Sequence, residues 1–251
     1  MIFNNVLFAL RELCFEKAEK YHAEYQLIGG KRFCGYLVLE EIAFKLSMLV
    51  DKEFEDFDKF KETVKKSIDV HYNYYLSKQL TAESEEIVSS ANKEFLECLE
   101  SVTANTTPKE QEYYRVIHGC EAEAIVKRFG EVWHYDKSYW FPLEQIPEDI
   151  PEFLFVDCEI VEKYWDSVCA IIRGYGERFY AYGESLYPLD YCEETEKIHF
   201  YAGTEHAYTD KAFSNFIYFS HEHTVSFAGN IVSKIKELMR AESEFFNKWI
   251  H

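Results

Sequence analysis

The chain has 251 residues, 47% of them hydrophobic and 18% aromatic, enough to bury a substantial core and too many for a disordered tail. Its 27 basic residues face 45 acidic ones, a net charge of −18 that repels both a phosphate backbone and an anionic membrane surface, so direct nucleic-acid binding is not expected. No run approaches the roughly 20 apolar residues of a membrane span, and seven cysteines without a CxxC pair point to reduced thiols and a cytoplasmic setting.

From the N-terminus, apolar positions step by three and four, the helical period. Leu7, Leu10, Cys14, Ala18, Tyr21 and Tyr25 trace one stripe up to the Gly29-Gly30 stop. A second runs through Leu39, Ile42, Ala43, Leu46 and Leu49, and a third through Phe57, Phe60, Val64, Ile68, His71 and Tyr75. The fourth uses Val88, Ala91, Phe95, Cys98 and Val102, with Thr81 as its expected N-cap. Four amphipathic helices suggest a bundle over residues 1–105. The polar stretch "TANTTPKEQE", interrupted by Pro108, marks a boundary, and a second region spans 109–251.

Beyond it the texture changes to short β-prone runs: "YYRVI", "SYWFPL", "FLFV", "RFYAY", "KIHFYAG", "NFIYF" and "TVSFAG". Helical segments interrupt them at "EAEAIVKRF" and "CEIVEKYWDSVCAIIRGYG", and one closes the chain as "NIVSKIKELMRAESEFFNKWI". Successive strands with short turns predict an antiparallel sheet with packed helices. The fold class is therefore α+β, with an N-terminal helical bundle followed by that sheet.

Within "YFSHEHTVSFAG", two histidines flank a glutamate. On an extended strand His221 and His223 would share a face and could ligate a metal, with His199 or His206, or Glu205, supplying a third ligand. The flanking strand sequences favour the other reading, a hairpin with "SHEH" at its tip, and no metal or other cofactor is expected. His118 and Cys120 in "VIHGCEAEA" are the one nucleophile-like pair, without an orienting carboxylate in view. Glycine loops with phosphate-cradling spacing are absent from "LIGGKRFCG" and "GYGERF", which disfavours a nucleotide enzyme.

The negative charge is concentrated. Gly130–Asp210 holds 18 acidic and 5 basic residues and is dense in aromatic rings. Carboxylates interleaved with rings suit a protein interface, the rings as anchors and the carboxylates steering a basic partner. The residues expected to carry it are Asp136, Trp140, Glu144, Tyr175, Glu177 and Glu184; ordinary burial is the competing reading for the rings.

The ending "NFIYFSHEHTVSFAGNIVSKIKEL", hairpin then helix, resembles the C-terminal part of bacterial proteins of the immunity type found in polymorphic toxin systems. The resemblance covers about a tenth of the chain and implies a binder that neutralises a toxin, many of which are basic nucleases. The expectation is an acidic protein-binding protein, most concretely an immunity-like inhibitor that occupies a basic toxin's active cleft. A metal-dependent enzyme using the histidine cluster and a small-molecule sensor are the alternatives.

Overall fold

The computed structural model describes residues 2–28, 32–68, 81–109, 112–136, 139–145, 148–150, 152–183, 191–200 and 205–249. The chain divides into two compact units, Met1–Val116 and Ile117–His251.

The first unit contains α1 (Ile2–Ile28), α2 (Arg32–Ser47), α3 (Phe57–Ser67) and α4 (Ala82–Ser101). The four stripes converge into one core, with Leu7 and Leu10 of α1, Leu39 and Ile42 of α2, Phe60 and Val64 of α3, and Phe95 and Leu99 of α4 all buried. His71 and Tyr75, assigned to the third stripe, lie outside the described residues. Thr81 caps α4 as expected, but its reciprocal partner is Ser84, whose hydroxyl accepts from the Thr81 backbone N–H at 2.6 Å. Gly35 lets α2 press on the Tyr21 ring, where an added Cβ would lie 2.6 Å from Cε1.

The strands are β1 (Tyr114–His118), β2 (Phe153–Asp157), β3 (Phe179–Gly183), β4 (Tyr191–Thr195), β5 (His206–Asp210), β6 (Asn215–Phe219) and β7 (Thr224–Gly229). They form a seven-stranded antiparallel sheet in the order β1-β4-β3-β5-β6-β7-β2. In β6, successive residues belong to different cores, Phe216 and Tyr218 to one and Ile217 and Phe219 to the other, because a strand's side chains alternate between faces. Over one face lie the short helices α6 (Cys158–Lys163), α7 (Trp165–Arg173) and α8 (Val232–Leu238), packed on Leu154, Val156, Phe219, Val225 and Phe227. On the opposite face lie α5 (Cys120–Trp133) and the connection leading to β2, with Phe129, Trp133, Tyr135 and Trp140 buried against Tyr182, Phe216 and Tyr218.

Several expectations need correction. "SYWFPL" contributes no strand among its described residues; Tyr139 and Trp140 are irregular and Phe141–Leu143 form a turn, consistent with Pro142 having no N–H to give a ladder. Lys197–Phe200 of "KIHFYAG" is likewise irregular, whereas β4 and β5 carry strands not anticipated. The "CEIVEKYWDSVCAIIRGYG" helix breaks at Tyr164 (φ −110°, ψ 4°) into α6 and α7. The closing helix stops at Leu238, and a 3-10 helix covers Arg240–Phe245. Past it, Asn247 donates its backbone N–H to the Phe155 carbonyl at 3.0 Å and accepts from the Phe155 N–H through its side chain at 2.9 Å. Since β2 is an edge strand, its unpaired backbone groups give the chain's end a hydrogen-bonding alternative to more helix.

Candidate functional site

The β6–β7 hairpin is observed, with Phe219 paired to Val225 and Ser220–His223 at its tip. On the other side of β6, the register His206↔Phe219 brings Glu205 across from Ser220. Glu205 is only 2% exposed, and a buried carboxylate needs donors. Its carboxylate accepts from the Tyr218 hydroxyl, from the His221 backbone N–H at 3.0 Å, and interacts with His221 Nδ1. Gly183, opposite His206 in β3, makes room for this stretch: an added Cβ would lie 2.5 Å from His206 Nδ1 and 2.7 Å from the Glu205 carbonyl oxygen.

A chain of hydrogen bonds continues from Glu205 into the sheet's core. The Tyr218 hydroxyl accepts from the Trp140 backbone N–H at 3.2 Å, and Trp140 Nε1 donates to the Trp133 carbonyl at 2.7 Å. Trp133 Nε1 donates to Thr209 Oγ1 at 3.2 Å, and that hydroxyl donates to the Asn215 carbonyl at 2.8 Å. Ser226 Oγ holds the Phe141 carbonyl at 2.6 Å. These bonds fasten irregular backbone to the sheet, a job that regular helix packing does elsewhere.

At the outer end of this chain lies an exposed aromatic surface. Tyr139 is 51% exposed, and its ring centroid lies 5.4 Å from that of His221. His221 Nε2 lies 3.2 Å from Glu222, so both of its ring nitrogens have carboxylate partners. Asp136 and Glu144, three residues before Tyr139 and five after it, are exposed, as are Glu148 and Asp149. The hydrogen bond from His134 holds the Asp149 carboxyl below its usual pKa.

The proposed interface residues do not gather on one face. Asp136, Trp140 and Glu144 share the α5–β2 connection, with Trp140 only 3% exposed inside the core and its ring 4.6 Å from Phe216. Tyr175 packs with the α6–α8 side of the sheet, where its hydroxyl donates to the Asn230 carbonyl at 3.0 Å and the Lys234 ammonium lies 4.4 Å from its ring. Glu177 is exposed in the turn after α7, and Glu184 lies outside the described residues.

The histidines are also separated. His221 and His223 lie in a turn rather than on an extended strand, and His223 has a left-handed φ of 56°, so the two-residue periodicity does not aim them together. The His206 ring lies tilted against Tyr208, 4.9 Å between centroids, and burial, reinforced by the nearby His199 imidazole, pushes its pKa down to about 4. Among the described residues, no three His, Cys, Asp or Glu side chains form a group able to hold a metal ion. His118 ends β1 and Cys120 begins α5, with Gly119 between them at φ 62°.

No protein-family model, curated protein or solved structure matches the chain. Among the described residues, no helix is long and apolar enough to cross a membrane. The functional reading therefore rests on the chemistry of the surface. Sequence reasoning named His221 and Glu205 as candidate ligands but did not pair them as a fastening for the hairpin tip, because that contact arises only from the register between β5 and β6.

Proposed function

We propose that this chain is an acidic protein-binding protein, in its most concrete form an immunity-like inhibitor that neutralises a basic toxin, nucleases included, by occupying the toxin's active cleft in the cytoplasm. The observation that carries the reading is Tyr139: a half-exposed aromatic ring against His221, on a connection bearing Asp136 and Glu144, backed by the buried Glu205. Preorganised aromatic rings supply contact area with little loss of side-chain freedom, and surrounding carboxylates steer a cationic partner. The chain's net charge of −18 adds long-range attraction of the same sign.

The test is affinity capture from the native organism at low and moderate salt, using wild type and the Asp136→Lys/Glu144→Lys variant, followed by kinetics on the captured protein. A basic protein retained by wild type should associate more slowly with the variant and with a weaker salt dependence. Tyr139→Ala should speed dissociation, at a cost of about 2 kcal/mol if the ring is an anchor. Glu162→Lys/Glu177→Lys, at two exposed carboxylates away from that connection, is the charge-matched control. Retention of no basic protein at either salt overturns the reading.

A further inference from the structure

One side of the sheet ends at β2. In an antiparallel strand the backbone groups of alternate residues point to opposite sides. The Glu152 carbonyl accepts from the Gly229 N–H at 3.2 Å and the Cys158 N–H donates to the His223 carbonyl at 2.8 Å, so Leu154 and Val156 face β7 while Phe153, Phe155 and Asp157 turn their backbone outward. At Phe155 the outward groups are met by Asn247, whose backbone N–H donates to the carbonyl and whose side-chain oxygen accepts from the N–H. A residue of a neighbouring antiparallel strand makes that same pair of bonds; here an amide side chain stands in for the backbone carbonyl. Two residues on, Trp249 lies over the Phe155 ring with 5.7 Å between centroids.

This strap is lightly held. From Arg240 to Trp249 every residue is exposed or half-buried, so little apolar burial anchors it, and segments of that kind open locally at small free-energy cost. Once it opens, Phe155 presents a ring together with an N–H and a C=O at a sheet edge, the arrangement that templates another strand. A second β2 fits there. Laid antiparallel about a two-fold axis at Phe155, it offers the same N–H and C=O as Asn247, brings one Phe155 beside the other, and sets Asp157 opposite Phe153 rather than opposite another carboxylate.

We propose that Asn247–Trp249 is a detachable guard of the β2 edge, and that lifting it lets two copies of this chain pair through β2. The net charge of −18 on each copy opposes their approach and is screened by salt, so pairing strengthens as salt rises. The proposal does not use the Tyr139 surface and stands apart from the protein-binding reading.

The test compares the full chain with its Asn247→Ala/Trp249→Ala variant by sedimentation velocity over a range of concentrations at low and moderate salt, and by hydrogen exchange at the Phe155 amide. The variant should dimerise with a Kd below about 100 μM at moderate salt, at least about tenfold tighter than wild type. In the dilute variant the Phe155 amide should exchange at least about tenfold faster than in wild type, and its protection should return as the dimer forms. Both substituted side chains are exposed, and each single substitution gives the same reading in smaller measure should the double variant fold poorly. Equal self-association of the two proteins at both salts, unaltered exchange at Phe155 in the dilute variant, or a dimer that leaves that amide unprotected would overturn the proposal. So would a variant that stays unpaired alone but retains another protein from the native lysate, which would give the edge to a different strand.

Discussion

The two faces of the sheet solve the same problem with different means. Beneath α6, α7 and α8 the cover is regular helix over Leu154, Val156, Phe219, Val225 and Phe227, and burial of apolar area supplies most of the attachment. The opposite face has one helix and then irregular chain, so Trp133, Trp140, Tyr218 and Glu205 add hydrogen bonds that tie the chain down. The lesson is that large amphipathic side chains fasten non-helical cover, since each can bury a ring and also satisfy a backbone group. The proposed contact surface is on the irregular cover.

The sharpest way to break this contrast is to truncate one tryptophan on each face. Trp140→Ala removes a ring packed on Phe216 and Tyr218 and orphans the Trp133 carbonyl, so a loss of about 3–5 kcal/mol is expected in urea unfolding. Trp165→Ala should cost under about 2 kcal/mol, because that ring is only partly buried and lines an open cleft. Equal losses would show that the two faces do not differ in how much each depends on its tryptophan.

A pH titration probes the α6–α8 side, towards which His206 projects with Tyr208. The native state disfavours the imidazolium, with the His206 pKa near 4, whereas the unfolded chain takes up the proton near pH 6.5. The unfolded state then binds more protons between those values, so this contribution is present above about pH 6.5 and is lost as pH falls towards 4, by up to about 3 kcal/mol. His206→Gln should lose less stability than wild type between pH 7 and pH 5. Parallel pH curves for the two proteins would exclude His206 as the source.

Gly183→Ala strikes the join between the two sides. The new Cβ would press on His206 Nδ1 and the Glu205 carbonyl, shifting the segment that holds the hairpin tip. A loss of about 1–3 kcal/mol is expected from the overpacking, together with a change in the NMR signals of His221 that a purely local disturbance of β3 would not produce. Unaltered His221 signals would separate the close packing at Gly183 from the hairpin fastening.

Much of this architecture is legible from local pattern and the rest is not. The four stripes of the first unit and the strands "NFIYF" and "TVSFAG" are readable because each buries residues at the period of its own element. Strands β4 ("YCEET") and β5 ("HAYTD") escape notice because they bury polar groups that only a tertiary partner can satisfy. Glu194 is buried beside Lys211 at 2.5 Å and Arg178 at 3.5 Å. Asp210 accepts from the backbone N–H groups of Ala212, Ser214 and Asn215. Likewise, no local signal tells that Trp140 lies in the core while its neighbour Tyr139 points to solvent, or that Glu205 meets His221 across the register between β5 and β6.

That adjacent pair provides the smallest and most specific test of the comparison. Tyr139 and Trp140 are consecutive rings on the same irregular cover, one half-exposed and one enclosed. If fastening and recognition are divided between them, Tyr139→Ala should change unfolding free energy by no more than about 0.5 kcal/mol, the usual range for a surface site. It gives up the ring contact with His221, but the Glu205–His221 pair and the Tyr218 bond remain to hold the tip. Proton NMR of His221 should therefore show a loss of ring-current shift with no increase in mobility of the hairpin. A loss above about 1 kcal/mol would place Tyr139 among the fastenings rather than on the recognition surface, and the contact surface proposed around it would lose its central anchor.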